Sequence, residues 1–194
     1  MTTYAFPFSV DQFTMQSRAF ALASRSIYGG NTQVSDMLND RWLISLSIPL
    51  RTTADGAAVE AWVNKMRGMV NTAELWHMAR PVPRGTMRGS PTCGTTAKGA
   101  SSLTLTTSAG ATLEAGDMIG IGGRLYQVAA YAQADGGGTM SVTIVNRTRA
   151  AITTGSAVTW DKPKVQFQMT GFNQVPYLPG YSGAVNLDFE EYIA

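Results

Sequence analysis

The chain has 194 residues, 44 % of them hydrophobic and only 14 % charged, with a formal net charge of +2 and a single cysteine. One cysteine excludes an internal disulfide framework, no run approaches the ~18 apolar residues of a membrane span, and Met1–Pro7 lacks the basic-then-apolar order of a secretory leader. Synthesis in a cytoplasm is therefore expected, and a charged fraction well below the ~25 % of average proteins fits a surface buried against copies or partners.

From Phe13 to Ser26 a weak alternation predicts strand and loop rather than helix, pairing with the next strand across the loop Tyr28-Gly29-Gly30-Asn31. Trp42, Ile44, Leu46, Ile48 and Leu50 then alternate with Ser45, Ser47 and Pro49. That period of two predicts a strand with one buried face, which ends at Pro49 or lies at an edge because proline has no N–H for a ladder. Over Thr53–Met69 the period lengthens, and Ala58, Ala61, Trp62, Met66 and Met69 predict one helical stripe. Thr52 with Asp55 resembles a capping box, and Gly68 and Asn71 supply stop signals. Ala73–Met78 reads as a returning strand.

After Pro163 the alternation resumes in Val165, Phe167 and Met169, and again in Val185, Leu187 and Phe189. An isolated hairpin is marginal in water. These two strands therefore need the strands before residue 84, which predicts one discontinuous domain, 1–84 with 161–194. The segment 85–160, bracketed by Pro81-Val82-Pro83-Arg84 and Asp161-Lys162-Pro163, is an insertion. Five short strands are expected in it: Ser102–Thr107, Met118–Ile121, Arg124–Val128, Thr139–Val145 and Ser156–Trp160, with Gly122-Gly123 and Asp135–Gly138 as turns. The fold class is thus mainly β: a discontinuous β-sandwich with one α-helix, carrying an inserted small five-stranded barrel that is OB-like.

No pattern carries chemistry. His77 is the sole histidine and Cys93 the sole cysteine, too few for a His or Cys metal cluster, and no Gly-x-Ser-x-Gly elbow accompanies His77. Adjacent Glu190 and Glu191 point to opposite faces of a strand, and Asp36 and Asp40 are explained by turn usage. The glycines of Gly116–Gly123 lead into another strand and not into a helix, so they read as turn residues, with Asp117 capping its own turn. The insertion holds the charge excess in Arg88, Lys98, Arg124, Arg147 and Arg149, scattered rather than clustered. No catalytic, cofactor-binding or metal-binding residue is assigned, no cofactor is expected, and the chain is read as a non-enzyme.

The order of these parts, together with Arg41-Trp42 opening a strand, Trp62–Gly68 closing the helix, Pro81-Val82-Pro83 at the exit, and Ala115–Ile119 with Tyr126-Gln127-Val128 in the barrel, resembles the distal tail proteins of long-tailed, siphophage-type bacteriophages. The resemblance covers nearly the whole chain in architecture. It implies a structural virion protein of the tail tip or baseplate: a homo-oligomeric ring, a hexamer in that family, that joins the tail tube protein to hub and tip proteins around a channel for transiting DNA. The inserted barrel would project outward, toward side fibres or a host-surface glycan. Other readings remain at this point. One is another ring-forming tail protein, a tube or terminator subunit. Another is a carbohydrate-binding module using Trp160, Tyr126 and Tyr131, and a further one is a single-strand binder using the barrel.

Overall fold

The computed structural model describes residues 1–25, 29–49 and 51–193. The protein is mainly β with one helix. Its first six-stranded sheet runs, in spatial order, Thr3–Ala5, Thr72–Leu75, Val165–Phe172, Val185–Glu191, Arg41–Ile48 and Gln12–Arg18. Thr3–Ala5 pairs parallel with Thr72–Leu75, and the other neighbours are antiparallel. The two C-terminal strands thus pair with strands that precede residue 84, because the buried rows of Phe167, Met169, Leu187 and Phe189 need Ile44, Leu46 and Ala73 as neighbours. Arg41–Ile48 stops before Pro49 as expected, but it is a central strand and not an edge; Leu50 lies outside the described residues.

The helix Thr53–Met66 packs into the core of this sheet. Thr52 caps it, its hydroxyl oxygen accepting from the Asp55 N–H at 3.3 Å, and Arg67 in the left-handed region (φ 50°) ends it. The helix is three residues shorter than the sequence predicts, and its buried face differs. Gly56, Val59, Trp62, Val63 and Met66 are inside, whereas Ala58 and Ala61 are exposed and Met69 lies beyond the helix in solvent. Close approach sets the rotation. A Cβ at Gly56 would stand 2.5 Å from Ser182 Cβ, so the helix meets the Tyr181–Ser182 strand through its one glycine. Trp62 anchors the other end of the stripe, edge-on to Phe6 and Phe8, with its indole N–H donating to the Ala5 carbonyl at 3.1 Å.

The weak strand predicted over Phe13–Ser26 divides in two. Gln12–Arg18 pairs with Arg41–Ile48 as expected, but the chain then turns at Phe20, whose ring lies beneath the Arg18 and Arg41 guanidinium groups at 5.0 and 5.6 Å. Ala21–Arg25 and Thr32–Asp36 form a separate hairpin. Tyr28, the first residue of the expected Tyr28–Asn31 loop, lies outside the described residues.

Within 85–160 all five predicted strands are present, each within two residues of the expected bounds. Short pieces at Thr92–Cys93, Thr112–Leu113 and Ala132–Gln133 join them. A second six-stranded sheet runs Arg124–Gln127, Met118–Ile121, Ser156–Thr159, Thr92–Cys93, Ser102–Thr106, Thr139–Thr143. It curls into a half-barrel, and a Val128–Ile144 bridge brings its outer strands together. Gly122 and Gly123, with φ of 59° and 73°, make the tight turn between the first two strands.

Candidate functional site

Buried apolar side chains fall into two clusters, one under the helix and one inside the curled sheet. Met118 and Leu125 are the exception: they belong by sequence to the insertion and pack with the first cluster. Between the clusters runs a polar seam that holds the buried Asp117, His77, Asn146 and Glu191.

The seam begins where the chain leaves and returns. The Lys162 N–H donates to the Pro81 carbonyl at 2.7 Å, tying the two brackets together. Beside them Asp117, 2 % exposed, accepts from the backbone N–H of Arg84 (2.9 Å), Gly85 (3.1 Å) and Glu114 (2.8 Å). Asp117 therefore does cap its turn, through Glu114, but it also fastens the exit of the chain. Gly85 is required at this point, since a Cβ would meet the Thr112 carbonyl at 2.1 Å.

Farther along, Arg149 of the insertion forks onto Glu191 of the last strand, with contacts of 3.0 and 2.9 Å, both side chains nearly buried. Glu191 also accepts from the Trp42 N–H at 3.1 Å, and the Trp42 indole donates to the Leu125 carbonyl at 3.0 Å. Asn146 completes the row by donating to that same carbonyl at 2.8 Å. Bidentate, charge-assisted pairing of this kind fixes orientation as well as distance.

His77 lies in the same region. It is buried, edge-on to Phe13, and Arg80 approaches both ring nitrogens: its backbone N–H stands 3.0 Å from Nδ1 and its guanidinium 2.9 Å from Nε2. Burial first, and then the Arg80 charge, lower the His77 pKa to about 4. The same guanidinium donates to the Gly116 carbonyl at 2.7 Å. His77 is thus a neutral support for a cross-seam arginine. Cys93 is buried in the second core, where desolvation pushes its thiol up, away from the reactive thiolate.

Glu190 and Glu191 separate as their adjacency requires, Glu190 to Arg41 at 2.7 Å and Glu191 to Arg149. Asp36 pairs with Arg147 at 3.5 Å, and Asp40 is not joined to it. Among the described residues no group of His, Cys, Asp and Glu is placed to hold a metal ion, and no helix is long and apolar enough to cross a membrane.

The aromatic residues proposed for a sugar platform do not converge. Tyr126 is a core residue, 2 % exposed, because its position on a four-residue strand faces the inside of the half-barrel. Trp160 donates to the Gly89 carbonyl and carries the Arg88 guanidinium 5.0 Å from its ring centre, so one face is taken. Tyr131 alone is open. Three of the five basic residues of the insertion are likewise occupied, Arg88 with the Gly85, Met87 and Pro83 carbonyls, Arg147 with Asp36 and Arg149 with Glu191.

What the surface does present is apolar. Both strands of the Ala21–Asp36 hairpin are exposed throughout, with Leu22 at 61 % and Val34 at 64 %. A second exposed group, Phe172, Tyr177, Leu178 and Tyr181, borders the helix. Periodicity could not locate either, because an exposed valine in a strand reads the same as a buried one until the sheet that covers it is known. Comparison with protein-family models and with curated proteins returns no match.

Proposed function

We propose that this chain is a structural subunit of a phage tail tip, a distal tail protein that closes with its copies into a ring between tail tube and hub. In this reading 1–84 and 161–194 form the ring-building β-sandwich, and 85–160 is an OB-like barrel carried as an outward appendage. The ring surrounds a channel for passing DNA, and six copies are expected from the resemblance.

The observation that carries the reading is the exposed Ala21–Asp36 hairpin. A two-stranded hairpin without a covered face is marginal in water, and a monomer gains nothing from holding Leu22 and Val34 in solvent. An assembly does gain, by covering one face with Val34 or the other with Leu22. The seam supports the same role: Arg149–Glu191, Trp42–Leu125 and the Asp117 cluster hold the appendage in one orientation, which a load-transmitting particle needs and a flexible binding module does not. The reading assigns no catalysis. Particles imaged with this chain labelled test it. Density at the distal end of the tail, below the tube, is the expected result; density along the tube or at the neck makes it a tube or terminator subunit instead.

A further inference from the structure

Resting on the ring reading, we infer that the ring contact is heterologous: the Ala21–Asp36 hairpin of one copy enters the groove between the helix and the Phe172–Tyr177 segment of the next copy. The groove has a volume of about 370 Å³ and is lined by Glu60, Asn64, Phe172, Val175 and Tyr177 among others. Its floor is apolar and its rim polar, with the Tyr177 hydroxyl donating to Glu60 at 2.5 Å.

Within one copy the two are apart, since the hairpin strands are exposed throughout and none of their residues lines the groove. The hairpin leaves the first sheet at the Arg18 and Arg41 ends of its paired strands. The groove lies at the other end, because Phe172 is level with Leu187, and Leu187 with Leu46. From Arg41 to Leu46 at ~3.3 Å per residue is ~17 Å. The root of the hairpin is also held away from the groove, by Asp36 to Arg147 at 3.5 Å and by the Phe20 ring under two arginines. A projection at one end and a groove at the other are what a head-to-tail contact requires, and such contacts close into rings when the rotation allows.

Chemistry matches as well as position. The pairing Ala21 to Asp36, Ala23 to Val34 and Arg25 to Thr32 places these six residues on one face of the hairpin, with Asp36 at the root paired to Arg147. Beyond the Asp36–Arg147 pair at its root, that face offers Ala23 and Val34 and then the Arg25 cation beside Thr32. The groove offers an apolar floor with the carboxylate of Glu60 at its rim. A second copy is thus the occupant.

The test uses the full chain. Val34→Cys and Asn64→Cys chains, both positions exposed, are prepared separately, mixed, assembled and treated with a short bis-maleimide; native Cys93 is buried and stays unreacted. Covalent dimers containing one chain of each kind are expected from the mixture, and none from either chain alone. Val34→Asp, which places a carboxylate toward Glu60, is expected to weaken assembly at least about tenfold while leaving the monomer's circular dichroism and Tm unchanged. Rings that form normally with Val34→Asp and give no mixed cross-link overturn the contact and leave the ring reading standing. Cross-linking of Val34→Cys with itself also overturns it, in favour of hairpin-to-hairpin pairing. A wild-type chain that never leaves the monomer removes both readings.

Discussion

Two charged residues with near-identical composition in the sequence have different fates, and burial separates them. Arg147 meets Asp36 in solvent, so Arg147→Ala is expected to cost under about 1 kcal/mol. Arg149 meets Glu191 where both are nearly buried, and Arg149→Ala leaves that carboxylate unpaired, at a cost of about 3 kcal/mol or more in urea unfolding. Equal losses for the two variants would show that the seam is solvated. His77 makes a second claim at this scale. Its pKa is held at about 4 in the folded chain against ~6.5 unfolded, so the unfolded state takes up the proton first. The contribution is whole above pH ~6.5, declines as the pH falls, and is gone below about 4. Wild type is therefore expected to lose about 1–3 kcal/mol more than His77→Gln between pH 7 and 4; parallel curves for the two proteins would contradict the assignment. None of this was visible in the sequence, where Arg147 and Arg149 read alike as scattered charges of the insertion, because the partner Glu191 is 42 residues from Arg149.

At the scale of elements, legibility followed how locally each was determined. The Arg41–Ile48 strand, the helix and the five strands of the insertion follow from period and turn residues, and they were legible. The rotation of the helix was not, since Gly56 faces inward only because Ser182, far along the chain, packs against it. Phe20 likewise turns the chain through contacts with Arg18 and Arg41 that no alternation encodes. Two devices at element ends are open to test. Asn71 donates to the Lys65 carbonyl at the end of the helix and accepts from the Thr2 N–H, so Asn71→Ala is expected to lower stability by about 1–2 kcal/mol and to loosen the N-terminal strand in hydrogen exchange. Gly138 has φ +80°, and a Cβ there would stand 2.3 Å from the Thr107 carbonyl. Gly138→Ala is accordingly expected to cost about 2 kcal/mol or more, whereas Gly136→Ala, with open space around it, is near neutral.

For the whole molecule, the two cores and the seam between them make a body in which an appendage is oriented by the sheet that carries it. The low charge of the chain is read here as surface reserved for copies, and the exposed hairpin and the groove at opposite ends of one sheet give that reserve a geometry. What the sequence offered was the order of the parts. It could not offer the hairpin, whose strands look internal until the sheet is assembled without them. The most direct measurement of the central claim is native mass spectrometry of the purified full chain at increasing concentration, with particle images of the same sample. A discrete species of six times the 20.7 kDa chain, seen end-on as a ring with a central opening, is the expected result. A species that stays at the mass of one chain at high concentration, with no ring in the images, would contradict it.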